Sequence, residues 1–354
     1  VSNLDEALER FHQVGLEYGE GLANHGPMAA EALESLGHPA LIPAFVNIYV
    51  PRLSIFEPGQ SLSRAQRGES LGDVSRSADW VATYESRLES EPWAKVLGDE
   101  AGHLLPGLFA GAGHGLLRTA HAIRALERED SPLRRRELAR GLAYWAARFQ
   151  VLPGKPEDSK PSGTTSLVAA LVGWPLLEDA SARVGLFTEV VHCLDEDRVF
   201  ADAFEAVGIP DIEDVDAFLD TLCLHAAEVY VGNPHARVAF VHGLTIPTAV
   251  RTLVPYLSVE MGRVAAAYAL QAMGALLRIF GNREALPEHD DEVIRVTDDW
   301  NEIRYHAACS IQEHSIKMVD ACWREDARRP NSIFRRAAAD AALQIEGRGQ
   351  AMTC

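Results

Sequence analysis

The chain has 354 residues, 47% of them hydrophobic, which is ample apolar material for a sizeable core. A formal charge of −18, from 51 acidic against 33 basic residues, sets up a field that repels phosphate backbones and anionic membranes. Nucleic acid and membrane surfaces are therefore excluded as expected partners, and apolar stretches such as Ser166–Leu177 fall short of the roughly 20 residues a spanning helix needs.

No signal-peptide pattern opens the sequence. The five cysteines, Cys193, Cys223, Cys309, Cys322 and Cys354, are widely spaced and form no CxxC pair. Neither a zinc ribbon nor a disulfide framework is expected, and a reducing cytoplasm is the expected compartment.

Helical periodicity dominates from the N-terminus onward, and alternating strand-like runs are almost absent. The spacing predicts helices over Asn3–Leu22, Pro27–Leu36, Ala78–Leu88, Leu108–Arg128, Pro132–Gln150, Val184–Val191, Val215–Val229, Pro247–Leu257, Met261–Phe280, Trp300–Trp323 and Ser332–Ile345. Breakers punctuate them at Gly37-His38-Pro39, Gly208-Ile209-Pro210, Gly232-Asn233-Pro234 and Gly281-Asn282. Pro153–Thr165 and the acidic Leu286–Glu292 read as irregular. No fixed repeat is present. The expectation is an all-α fold, residues 1–354 forming one multi-helix domain.

Thirteen histidines are scattered along the chain, and a lone one carries little information. Three stand directly before glycine, in Asn24-His25-Gly26-Pro27, Gly113-His114-Gly115-Leu116 and Val241-His242-Gly243-Leu244. A glycine there admits the close approach of another backbone or of a ligand. A fourth, His314, precedes Lys317 by three on the last long helix. Lysine occurs otherwise only at Lys95, Lys155 and Lys160. At 100° per residue His314 and Lys317 are about 60° and one turn apart, so both can reach one point. His306 points in nearly the direction of Lys317, but about 16 Å away along the axis of a continuous helix.

Two readings of Lys317 stand. Glu313 precedes it by four, the favourable order for a surface ion pair. Alternatively, imidazoles from separate helices build a buried metal site, as is usual in helical proteins, and Lys317 joins it. An ammonium cannot ligate a cation. Burial would have to lower its pKa, leaving a neutral amine to bind directly or to form a carbamate with carbon dioxide.

Asn24–Gly37 (NHGPMAAEALESLG), His114–Ala122 (HGLLRTAHA), Phe240–Thr245 (FVHGLT) and Glu313–Lys317 (EHSIK) resemble segments of the questin oxidase-like family, in order and over nearly the whole chain. The resemblance implies a mononuclear non-haem Fe(II) enzyme acting on anthraquinone-type polyketides with O2, by Baeyer–Villiger-type or dioxygenase-type carbon–carbon cleavage. Carried over residue by residue, it implies His25, His114, His242 and His314 as metal ligands, with Lys317 as a carboxylated ligand.

Other features bear on the same reading. Gly111-Ala112-Gly113-His114-Gly115 lacks both the GxGxxG spacing and the βαβ context of a dinucleotide site, and neither a P-loop nor HExxH occurs. His121 and His306 are candidate bases for a phenol, and Arg118 is a candidate for stabilising developing negative charge. Tyr230, Phe240, Trp300, Tyr305 and Trp323 could wall a flat apolar pocket for an aromatic substrate. Two alternatives remain: a zinc-dependent hydrolase using the same histidines, and a non-catalytic helical ligand-binding protein. His289-Asp290 resembles the HD step of helical phosphohydrolases, but it sits in an acidic loop. A homodimer is the base expectation for assembly.

Overall fold

In the computed structural model, residues 2–19, 21–156, 165–177, 187–207, 215–282 and 299–345 are described. Their backbone is mostly helical, in keeping with the sequence. The acidic loop 286–292, the His289-Asp290 step, the Gly208-Ile209-Pro210 breaker and residues 157–164 lie outside them. The chain groups into two compact units, Val1–Val151 with Thr252–Met261, and Leu152–Arg251 with Gly262–Cys354, each described by itself below.

The first unit begins with α1 (Asn3–Phe11), started by a Ser2–Asp5 capping box. The expected helix to Leu22 stops early. Gly19 and Gly21 take left-handed φ values of 57° and 110°, and a short antiparallel ribbon forms instead, β1 (Glu17–Tyr18) with β2 (Leu22–Ala23). α2 (Gly26–Ser35), α3 (Ile42–Tyr49), α4 (Arg64–Glu69), α5 (Ser77–Ser90) and α6 (Trp93–Leu104) follow. α3, α4 and α6 were not expected, because each is short or mixes its apolar residues with breakers.

α7 (His114–Arg128) and α8 (Pro132–Ala147) form the centre of this unit. They meet almost backbone to backbone. A Cβ on Gly115 would lie 2.4 Å from Trp145 Cα, and one on Gly141 would lie 2.8 Å from Thr119 N. The order of those pairs makes the helices antiparallel. Phe11, Phe45, Tyr49, Tyr84 and Trp145 fill the surrounding core.

The second unit contains α9 (Leu167–Gly173), α10 (Phe187–Val190), α11 (Arg198–Glu205) and α12 (Val215–Gly232). α13 (Arg237–Leu253) and the alanine-rich α14 (Val259–Phe280) come next. The sequence expectation began a helix at Pro247, whereas α13 runs through it. The stretch Pro234–Tyr256 is long and apolar enough to cross a membrane, but 83% of that window is buried inside the protein, as in a core helix.

The expected helix Trp300–Trp323 is two helices, α15 (Trp300–Ser310) and α16 (Glu313–Arg328). Ile311 breaks it at φ 54°, a left-handed conformation that is an outlier for a β-branched residue. Gln312 then caps α16 by accepting from the His314 backbone N–H. α17 (Ser332–Gln344) packs on α16. Trp174, Phe200, Phe204 and Tyr230 are fully enclosed in this unit.

Candidate functional site

Backbone chemistry presents the first unit's histidines at two helix starts. His25 is the residue before α2, and its backbone N–H donates to Tyr49 Oη at 2.9 Å. Asn24 ties the same turn down, donating to the Gly15 carbonyl at 2.8 Å and accepting from Gly26 N at 3.0 Å. His114 opens α7 after Gly111, Ala112 and Gly113, all left-handed, with φ of 54°, 61° and 80°. Ala112 carries a steric cost there that glycine would not. The turn brings Gly111 O to 2.5 Å from His114 Nδ1. The two rings are 4.5 Å apart and tilted by 30°, and their ligating nitrogens lie within 4.8 Å of each other. Both residues are buried.

The second unit supplies His242, His314 and Lys317. His242 lies in the middle of α13, and its Nδ1 bonds the Val238 carbonyl at 3.0 Å. Burial, reinforced by the Lys317 ammonium, pushes its pKa down to about 3, so it is a neutral imidazole at physiological pH. Pro247 has no N–H for the Gly243 carbonyl, so the helical ladder is interrupted one residue beyond His242. The His314 ring meets the His242 ring edge-on at 5.8 Å. Lys317 is 1% exposed, and burial lowers its pKa to about 7 against the opposing pull of Glu313.

Lys317 is therefore no surface group, and neither is Glu313, at 6% exposure. That removes the surface ion pair as an account of EHSIK. The chemistry of the donors fits a metal. At both His114 and His242 a carbonyl three or four residues upstream takes the Nδ1–H, the tautomer that turns the Nε2 lone pair outward. Neutral imidazoles and a lysine that is half deprotonated near pH 7 are suitable ligands for iron, zinc or copper.

The glycines beside the histidines have a packing role. A Cβ on Gly26 would fall 2.1 Å from the Phe11 ring, and one on Gly115 would strike the Trp145 backbone. At Gly243 the nearest atom is Met273 Sδ at 3.0 Å, the flexible end of a side chain.

The other expected site residues are placed as follows. Arg118 is buried and gives Glu137 two hydrogen bonds, at 2.6 and 3.0 Å, while His12 Nε2 reaches the same carboxylate at 3.1 Å. His121 is buried against Glu31 at 2.5 Å. His306 is exposed on α15, a different helix from Lys317, because Ile311 divides the two. Tyr305 is 56% exposed, Tyr230 and Phe240 are wholly buried, and Trp300 and Trp323 meet edge-on at 5.2 Å.

Sequence reasoning missed Glu31. Its signal was an acid inside the apolar run of α2, together with His121, Arg124 and Arg128, which share one face of α7 by their three- and four-residue spacing.

The class defined by fold and site is a mostly helical protein with buried, histidine-rich candidate metal ligands. A scan against family models finds no match to this chain, and a search of curated proteins finds no relative.

Proposed function

We propose that this protein is a metal-dependent oxygenase that binds non-haem Fe(II), with His25 and His114 of the first unit and His242, His314 and Lys317 of the second as its candidate ligands. The substrate proposed is a polycyclic, anthraquinone-like aromatic. The observation that carries the metal role is Lys317, a lysine buried beside two imidazoles with its pKa lowered to about 7. The resemblance to questin oxidase-like proteins supplies the oxygenase class and the substrate.

Bound iron would supply electron transfer between an electron-rich aromatic and O2. The chain's own residues do the rest. His114 and His242 hold their Nδ1 protons on backbone carbonyls, and burial excludes water. α2 and α7 both start at the His25–His114 pair, so the positive ends of two helices favour an anionic species there, such as a phenolate. Lys317 as a neutral amine could ligate directly. As a carbamate it would add an anionic oxygen and partly neutralise the metal. Dioxygenation would put both oxygen atoms into the product. Monooxygenation would send one to water and take two electrons from a hydroquinone substrate.

The test is metal analysis and oxygen uptake on protein purified without chelator. One equivalent of iron, with oxygen consumption and a product that has gained two oxygen atoms, or one oxygen atom with the loss of two hydrogens, is the expected result. Zinc without oxygen uptake would sink the oxygenase reading in favour of hydrolysis. For Lys317, intact-mass measurement in bicarbonate at neutral pH should show the gain of one CO2, lost in Lys317→Met.

A further inference from the structure

α2 and α7 are joined at a second place besides the His25–His114 pair. Glu31 of α2 is 2% exposed, and its carboxylate accepts from His121 Nδ1 at 2.5 Å and Arg128 Nη2 at 2.7 Å and forms an ion pair with Arg124 Nη2 at 3.0 Å, all on α7. His25 stands six residues before Glu31, and His114 seven before His121. By the helical rise these axial offsets are about 9 and about 10.5 Å. The near equality means that the two helices run side by side in the same direction. They are held at two points, the histidines at their starts and the carboxylate about two turns on.

The two contacts differ in how sharply they fix register. Two rings 4.5 Å apart can slide over one another at little cost. The carboxylate cannot slide. A one-residue slip, a rise of about 1.5 Å, would break two hydrogen bonds and an ion pair and leave a buried anion without its partners.

We infer that Glu31 is a positioning residue: by clamping His121, Arg124 and Arg128 it sets the separation and tilt of the His25–His114 pair, and so the strength of that pair as metal ligands. The inference rests on the metal-binding reading above. Glu31 sits about two turns along α2 from His25, against His121 of α7. Its effect passes through two rigid helices.

Cobalt(II) titration of the full-length, metal-free protein, followed by its visible ligand-field bands, tests this. E31Q keeps the volume of the side chain but loses its charge. It should weaken cobalt binding about tenfold or more and shift the bands, because the imidazoles leave their positions. E100Q is the control. Glu100 is also a buried carboxylate, accepting from Tyr84 Oη at 2.9 Å and from Arg87, but it ties α6 to α5. E100Q should lower the melting temperature of the metal-free protein and leave cobalt affinity and bands unchanged. If E31Q does not fold, Arg128→Leu, at a side chain 38% exposed, should weaken cobalt binding in the same direction. Wild-type affinity and bands in the α2–α7 variant tested, or equal weakening by E100Q, would overturn the positioning role and leave the metal reading in place. Absence of cobalt binding in the wild type would overturn both.

Discussion

An ammonium enclosed by apolar helices loses its hydration, and Lys317 responds by releasing its proton at about 7 in place of its usual 10.5. Between those values the unfolded chain holds a proton that the folded chain has lost. Stability of the metal-free protein should therefore rise with pH from about 7 to about 10.5, with the penalty fully present below 7. His242 acts in the same sense at lower pH: its folded value of about 3 lies below the usual 6.5, so stability falls as pH drops through that window. Urea denaturation at a series of pH values should show both slopes, with Lys317→Met flattening the upper and His242→Gln the lower. A Lys317→Met protein with an unaltered upper slope would contradict the burial argument. As ligands, His25, His114, His242 and His314 should each lose iron when changed to alanine. His12→Ala should keep its iron and lose about 1–3 kcal/mol of stability, because it leaves Glu137 with one partner fewer.

At the scale of elements, close helix contact explains two of the His-Gly steps. Gly115→Ala should cost about 1–3 kcal/mol, since the added methyl meets the Trp145 backbone, which cannot step aside. Gly243→Ala should cost less, roughly 1 kcal/mol or below, since Met273 can move its thioether. Thermal melts of the metal-free variants rank the two. A reversed order would mean that the glycine at 243 serves something other than packing. The break at Ile311 also belongs to this scale. Periodicity continues smoothly from Trp300 to Trp323, so no composition signal marks the left-handed residue that puts His306 and Lys317 on separate helices.

For the molecule as a whole, a charge of −18 means self-repulsion in the folded state. Raising sodium chloride from roughly 10 to 150 mM shortens the Debye length from about 30 to about 8 Å and should raise the melting temperature of the metal-free protein. Metal binding should add to stability by mass action, about 2.7 kcal/mol when free metal is a hundredfold above its dissociation constant. A chelator should then lower the melting temperature of the wild type and leave His114→Ala unchanged, as differential scanning fluorimetry would record.

The sequence alone determined that this is a mostly helical chain, because 3.6-residue periodicity, alanine and leucine content and glycine–proline breakers are local properties. It also marked His25, His114, His242, His314 and Lys317, through the rarity of lysine and the neighbours of each histidine. The short α3 and the glycine-interrupted α6 were not legible, since their packing outweighs weak local preference. The tertiary structure decided the rest. Burial can be assigned only when neighbouring helices are in place, so only the fold turned Lys317 from one half of a surface pair into a lysine titrating near 7. Only packing across α2 and α7 brought Glu31 to His121, residues ninety positions apart in the chain.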